Sequence, residues 1–203
     1  MEGIVIDLEK EALDESVSVE SLLRKSYLVA RKLKLKDFEE WVNKEQNGYN
    51  GEVPDYRMIG GNYKAWNPYR GWMPVILTPE MGKFMSNIPL HQSVSALTET
   101  YASHEKGIQF TLSAELNNFL NKTTDGFETQ FAFDTSRSEI YRILSTVRNK
   151  ILEWAMLLEE NGIIGEGMTF TEEEKQKAQN TQIINNYTNN FYSEVSDVDM
   201  KQG

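Results

Sequence analysis

Chemically capable side chains are concentrated in one short stretch of this sequence, residues 41–57, which reads WVNKEQNGYNGEVPDYR. Carboxylates, phenols, an amide and a guanidinium group follow one another where an amphipathic helix gives way to asparagine, glycine and proline. These candidate residues are Glu45, Asn47, Tyr49, Asp55, Tyr56 and Arg57. In one interpretation they converge on a ligand beside Tyr49. With nearby basic residues, the corner would then act as an enzyme on a nucleic acid or a nucleotide.

The same corner has a structural interpretation, which we favour because it needs fewer assumptions. Asn47 and Gly48 can end a helix, and Pro54 can fix the turn that follows. Asp55 and Arg57 could lock the chain as it leaves the helix, and Glu45 could accept a second bond from Arg57. In this interpretation the polar residues form a scaffold and bind no ligand.

Signatures of known enzyme classes do not occur elsewhere in the sequence. The absence of cysteine excludes thiolate metal sites, disulfides and cysteine nucleophiles. His91 and His104 belong to no triad order or zinc motif, and the clusters GGNYKAW and GEGM lack the GK[ST] ending of a phosphate-binding loop. We therefore assign no catalytic residue, expect no metal and no cofactor, and leave open whether the chain is an enzyme.

Four aromatic residues in the glycine- and proline-rich part of the chain could stack on nucleic-acid bases. They are Tyr63, Trp66, Tyr69 and Trp72. Single-strand binding proteins use such rings, but no known RNA-binding sequence pattern accompanies them here. We favour packing against a glycine-rich corner, and nucleic acid is a partner that the sequence allows but does not favour.

Charge is unevenly distributed along the 203 residues, whose net charge is −10. Residues 1–20 carry seven acidic residues and one lysine, a net charge of −6. Residues 152–203 carry ten acidic residues and three lysines, a net charge of −7, so the residues between these two ends have a net charge of +3. Bulk charge therefore does not favour binding to phosphates, although a local basic patch is compatible with it. No apolar run approaches the length of a membrane span, and the acidic N-terminal residues do not resemble a secretory signal. We expect a cytoplasmic protein.

Helical spacing predicts two helices before the corner, near residues 18–33 and 36–47, with Ser18 as the first cap. After the corner we expect short strands near Tyr56–Ile59 and Trp72–Leu77. Alternating helices and strands are predicted further on: helices at 79–87, 93–103 and 113–122, and strands at 107–110 and 128–136.

One long helix dominates the second half of the chain. Its apolar residues recur at steps of four and three: Ile140, Leu144, Val147, Ile151, Trp154 and Leu158. Further apolar positions widen this stripe beyond the seam of a two-stranded coiled coil, so we expect burial within the same domain. Residues 166–180 read as an acidic linker or short helix.

The remaining residues, 181–203, are polar and rich in asparagine, yet aromatic and β-branched side chains recur among them. Such composition is compatible with a disordered tail or with a β-forming element that adds to strands of other copies. The candidate assembly residues are Ile183, Ile184, Tyr187, Phe191, Tyr192 and Val195. The predicted fold class is α+β: a mostly helical body with a few short strands and a β-forming or disordered C-terminal tail.

Several stretches resemble AbiTii-type abortive-infection proteins in consistent order. They are VARKL (29–33), WVNKEQNGY (41–49), PDYR (54–57), WNPYRGWMPVIL (66–77), PLHQSVSALTE (89–99) and the stretch VRNKILEWAMLLEENGIIGEGMTFTEEEK (147–175). The end of the chain, NFYSEVSDVDMKQG, is similar to a short terminal element of such proteins but has Ser193 and Asp197 where glycines are typical. The resemblance implies an α-rich domain over residues 1–165 and a function in bacterial antiviral defence.

From these observations we expect an antiviral, abortive-infection protein that acts by a non-enzymatic, self-associating mechanism and is toxic when active. Its expected partners are other copies of the chain and a phage or host trigger of unidentified chemistry. Two alternatives stay open: an enzyme that acts on nucleic acid or nucleotide through the Glu45–Arg57 corner, and a binding module of a phage or prophage.

Overall fold

The structure is a computed structural model, and it describes residues 3–103, 107–123 and 128–191. The helices are α1 (Ile4–Leu13), α2 (Val19–Leu33), α3 (Lys36–Asn47), α4 (Pro79–Met85), α5 (Val94–Ser103), α6 (Ala114–Thr123), α7 (Arg137–Glu160), α8 (Glu172–Asn180) and α9 (Gln182–Asn185). The strands are β1 (Met58–Gly60), β2 (Asn62–Asn67), β3 (Gly71–Pro74), β4 (Asn87–Pro89), β5 (Gly107–Thr111) and β6 (Phe131–Ser136). Two 3₁₀ helices, Asp55–Arg57 and Tyr187–Phe191, complete the described elements. The α+β class is confirmed.

Helix α7 forms the centre of a helical layer with α1, α2, α3 and α5. All six residues of its predicted apolar stripe are buried, as their spacing requires. Trp154 stacks on Phe38 of α3, with ring centroids 3.7 Å apart and an angle of 8° between the rings. The stripe is therefore used inside the domain, where α1 covers part of it. We had assigned no helix to residues 4–13, since their acidic side chains obscured the buried face formed by Ile4, Val5 and Leu8.

Local capping chemistry explains where several of the helices start. The hydroxyl of Ser18 accepts a bond from the backbone of Ser21, as predicted, and Thr78 caps α4 in the same way. Thr171 and Glu174 form a reciprocal capping box at the start of α8. That helix packs on α2 through the buried Ala178, so the segment 166–180 is folded onto the body.

A four-stranded antiparallel sheet with order β3-β2-β6-β5 packs beside the helices, and β1 pairs separately with β4. The sequence had missed β2, whose pairing with β6 joins residues about seventy positions apart, from Asn62 with Asp134 to Ala65 with Phe131. The strand expected near Tyr56–Ile59 begins at Met58, because a 3₁₀ turn occupies the preceding residues. The strand expected over Trp72–Leu77 is β3, which begins at Gly71 and ends at Pro74.

The described part of the C-terminal segment is helical, so our prediction of β structure is wrong for residues 182–191. Ile184, Thr188 and Phe191 recur at steps of four and three and are buried against the body. A helical turn brings these side chains to one face, whereas an extended chain would separate them. Tyr192 and Val195 lie outside the described residues.

None of the helices in the described ranges is long and apolar enough to cross a lipid bilayer.

Candidate functional site: a buried carboxylate–guanidinium corner

The candidate corner forms where α3 ends and the chain turns back across it. Glu45 lies one helical turn after Trp41 on the buried face of α3. The backbone then leaves the helix at Gly48, whose φ of +92° favours glycine, and the amide of Tyr49 donates to the carbonyl of His91 at 2.8 Å. After Pro54, the 3₁₀ turn brings Tyr56 and Arg57 back to the same point.

The carboxylate of Glu45 is the centre of this corner. Its Oε1 atom accepts bonds from the hydroxyls of Tyr49 at 2.6 Å and Tyr56 at 2.5 Å, and from Nε of Arg57 at 3.1 Å. Its Oε2 atom accepts a second bond from Arg57, through Nη2. The arginine therefore binds the carboxylate with two parallel bonds, the arrangement that gives this pair its strongest and most directional contact.

The rest of the guanidinium group binds the backbone of a distant segment. Nη1 of Arg57 donates to the carbonyls of Leu90 at 3.1 Å and Gln92 at 2.6 Å. Its carbon lies 4.7 Å from the centre of the Tyr49 ring. Arg57 thus ties the end of α3 to the chain that enters α5.

Burial gives the corner unusual electrostatics. The side chains of Glu45 and Arg57 are both 0% exposed. Burial raises the pKa of Tyr56 well above its ordinary value, and the adjacent Glu45 charge and hydrogen bond raise it further. Burial opposes the charge of Arg57, but Glu45 outweighs that effect and the pKa of Arg57 is raised. Tyr56 and Arg57 therefore both keep their protons at neutral pH.

Two of the six candidate residues take no part in this network. Asn47 is exposed and donates through Nδ2 to Asn43 on its own helix, at 3.0 Å to the backbone carbonyl. Asp55 is exposed on the outside of the 3₁₀ turn. The structure thus brings Glu45, Tyr49, Tyr56 and Arg57 together, and a function for these residues in ligand binding stays a prediction.

The C-terminal segment covers the aromatic side of the corner. Phe191 packs edge-on to Trp41 at 5.3 Å between centroids and lies 6.5 Å from Tyr56. The indole of Trp41 donates to the Tyr56 hydroxyl at 2.8 Å, so Phe191 contacts the bonded network through both rings. Nothing in the spacing of residues 181–191 linked this segment to residues 41–57.

Lys150 of α7 lies between the corner and the terminal segment, and sequence reasoning had missed it. Its ammonium group is 3.5 Å from the centre of the Phe191 ring and 5.3 Å from that of Tyr56. Burial lowers the pKa of Lys150, and Glu153 and Glu45 partly offset this effect. Tyr187 donates to the carbonyl of Lys150 at 3.0 Å and to Glu153 at 2.9 Å, which anchors the terminal 3₁₀ helix to α7.

The arrangement is better suited to holding elements together than to chemistry on a substrate. Both oxygens of Glu45 and all three nitrogens of Arg57 are already bonded within the protein. Among the described residues, no group of three or more histidine, aspartate or glutamate side chains could hold a metal ion. A cleft of about 220 Å³ lies between α3 and Thr188 and Asn189 of the terminal segment, and Trp41 is part of its lining.

The chain is a mostly helical α+β protein with a buried Glu–Arg corner, and its C-terminal segment packs against that corner. A sequence model of the AbiTii family matches residues 3–183, so the chain belongs to this family. Membership implies an abortive-infection role against phage. No curated protein and no solved structure showed a significant match.

Proposed function

We propose that this protein defends bacteria against phage by a non-enzymatic mechanism in the cytoplasm, in which copies of the chain associate through the C-terminal segment, residues 181–203. The observation that carries the proposal is the closed bonding of the Glu45–Arg57 corner. A catalytic carboxylate needs a free oxygen that faces a substrate, whereas both Glu45 oxygens bind buried donors of the same chain. The corner instead provides the surface on which the C-terminal segment packs, and so fixes the position of that segment on the body.

Three features support the C-terminal segment as the assembly element. Ile184 and Phe191 anchor it to the body, while the side chain of Ile183, next to the first anchor, is 62% exposed. The last twelve residues follow directly from this anchor. They include the apolar Tyr192 and Val195, but also Glu194, Asp197 and Asp199. Like charges repel when copies align, so salt favours association by screening them.

Light scattering on the full-length protein and on a chain that ends at Phe191 tests the assembly step. Ending at Phe191 keeps the buried anchors, so a change in molar mass reports on residues 192–203 and not on unfolding. We expect a homo-oligomer for the full chain, more so at high salt, and a smaller species for the shortened chain. Equal molar masses would exclude residues 192–203 as the assembly element, and a monomeric full chain would exclude self-association.

Phage challenge and growth arrest in bacteria test the defence function. The variant Ile183→Asp places a charge on the exposed apolar residue of the assembly segment, and Leu13→Asp makes the same change at a residue that is 70% exposed on α1. We expect Ile183→Asp to weaken both protection and toxicity and Leu13→Asp to leave them unchanged. A wild-type chain that neither protects nor arrests growth would contradict the defence function itself.

The enzyme alternative rests on the convergence of two tyrosine hydroxyls on one carboxylate. Tyr56→Phe removes a hydroxyl while keeping the ring that packs on Phe191, and Asp55→Ala is a matched change outside the network. If Tyr56→Phe folds and associates normally but loses protection, while Asp55→Ala keeps it, the corner acts chemically and our proposal of a scaffold is wrong.

A further inference from the structure

One face of the four-stranded sheet is open and carries two tryptophans. The opposite face carries Tyr63 and Phe133, which are buried in the hydrophobic core. Because successive strand residues point to opposite faces, Lys64 and Trp66 of β2 lie on the open face. Trp66 is paired directly with Trp72 of β3, and their rings meet edge to face at 5.4 Å.

A tight turn places a third ring at the tip of the β2–β3 hairpin. The side-chain oxygen of Asn67 accepts bonds from the backbone amides of Tyr69 at 2.9 Å and Arg70 at 3.1 Å. Gly71, with a φ of +74°, returns the chain to β3. This turn fixes the backbone while the Tyr69 side chain is 96% exposed, so the ring contributes nothing to packing.

A groove of about 1190 Å³ runs between this hairpin and α6. Its floor includes the apolar side chains of Met73, Val75 and Phe131. Met73 and Phe131 pair with Ala65 and so lie on the face opposite Trp72, while Trp66 and Tyr69 border the groove at the hairpin end. Its far wall is α6, which two hydrogen bonds hold in place. Asn117 accepts a bond from the backbone amide of Phe131 at 2.8 Å, and Asn121 accepts one from the backbone amide of Thr129 at 2.8 Å. The groove therefore presents aromatic and apolar surface against a wall that is fixed by hydrogen bonds within the protein.

Charge distinguishes the hairpin from the rest of this acidic chain. Residues 62–79 contain Lys64 and Arg70 and no carboxylate, although the whole chain is −10. Lys64 pairs with Asp134 at 2.8 Å, and Arg70 is exposed at the tip beside Tyr69. A ligand that stacks on the rings would therefore meet the exposed Arg70 at the hairpin tip, and the groove beyond it is lined by one cation, Lys122, and one carboxylate, Glu128.

We infer that the β2–β3 hairpin and its groove bind single-stranded nucleic acid, with Trp66 and Tyr69 stacking on bases and Arg70 contacting phosphate. Exposed rings interleaved with cations are the features by which single strands are held. Bases in a duplex have no free face for such rings, so duplexes should bind weakly. From sequence we expected all four aromatic residues to pack a corner, and this is true of the buried Tyr63 but not of Trp66 or Tyr69.

Fluorescence anisotropy with labelled oligothymidylate and oligouridylate of about 16 nucleotides tests the inference on the full-length protein. We expect saturable binding to at least one of them, and the two probes distinguish DNA from RNA. Trp66→Ala and Tyr69→Ala should each weaken binding by about 5- to 150-fold, the range for loss of one base-stacking ring. Arg70→Ala should lower the slope of log affinity against log salt by about 0.7.

Met168→Ala is the matched control, because its side chain is 62% exposed on the loop before α8, far along the chain from the hairpin. Because the Tyr69 side chain is 96% exposed, Tyr69→Ala should leave the sheet intact, so it remains a valid test even if Trp66→Ala disturbs the sheet. Absence of saturable binding at low salt, equal binding to duplex, or unchanged affinity in both aromatic variants would overturn the inference. The inference would also be wrong if these variants changed the molar mass of the protein without changing its affinity for the oligonucleotides. The hairpin would then be a contact between copies of the chain. Nucleic-acid binding is measured independently of self-association through the C-terminal segment. Either proposal can therefore be refuted without refuting the other.

Discussion

The Glu45–Arg57 corner and the β2–β3 hairpin are alike in sequence but opposite in structure. Both are short stretches of aromatic, charged, asparagine, glycine and proline residues. In the corner, the Glu45–Arg57 ion pair is fully buried, and its polar atoms are bonded within the protein. In the hairpin, Tyr69 is almost fully exposed.

The difference shows that composition alone does not separate a scaffold from a binding surface. A buried charge has to be compensated by partners, so the corner requires a complete set of donors. The Tyr69 ring at the hairpin tip is 96% exposed, so it adds little to packing and is accessible to the ligand inferred above. Variants of the two regions should therefore affect different measurements.

The largest effect on stability is expected from Glu45→Ala. This change leaves the Arg57 guanidinium buried without its carboxylate, and breaking such a pair costs about 3–5 kcal/mol. The control is Asp55→Ala, an exposed carboxylate in the same segment, which should change stability by less than about 0.5 kcal/mol. Urea unfolding of both variants measures the difference. Similar small losses in both would show that the corner does not hold the fold together.

Phe191→Ala tests whether the terminal segment is part of the same structural unit. The ring is 5% exposed and contacts Trp41 and Lys150, so its loss should cost about 3 kcal/mol. Ile183→Ala, an exposed position of the same segment, should cost less than about 0.5 kcal/mol. If the two changes had equal small effects in urea unfolding, the segment would not be seated on the corner.

Tyr187→Phe probes the anchor through pH. Burial raises the pKa of Tyr187, and its bond to Glu153 raises it further. The unfolded chain therefore loses this proton first, so the contribution of Tyr187 is complete below about pH 10 and falls as pH rises above it. We expect Tyr187→Phe to lose about 1 kcal/mol at neutral pH and to show a smaller alkaline decline than wild type. Urea unfolding at about pH 8 and about pH 11 measures both, and identical pH profiles would contradict the buried setting of this hydroxyl.

The smallest effect on stability is expected in the hairpin. Tyr69→Ala should change the free energy of unfolding by less than about 0.5 kcal/mol, because its ring is exposed. Tyr63→Ala is the comparison, since that ring is 3% exposed and packs edge-on to Phe133 at 5.1 Å, and it should cost at least about 2 kcal/mol. Thermal unfolding of the two variants checks the contrast. A large loss for Tyr69→Ala would mean that this ring has a packing function after all.

Much of the helical framework was predictable, because the signals that set it act over a few neighbouring residues. The cap at Ser18, the proline at the start of α4 and the four-and-three spacing along α7 all operate within one or two turns. The strand β2 was not predictable in this way, since its pairing with β6 bridges about seventy residues. For the candidate site, the sequence indicated the right residues as a group but not which of them meet.

By itself, the sequence determined the family, the mostly helical class and the corner as a place where polar side chains gather. Only the tertiary structure decided that Glu45 is enclosed by Tyr49, Tyr56 and Arg57 while Asp55 stays outside. It also decided that Phe191 closes the corner and that Tyr69 faces solvent. The physical reason is that burial and hydrogen-bond partners depend on segments far apart in the chain, such as Arg57 with Leu90 and Gln92, and no local pattern records those contacts.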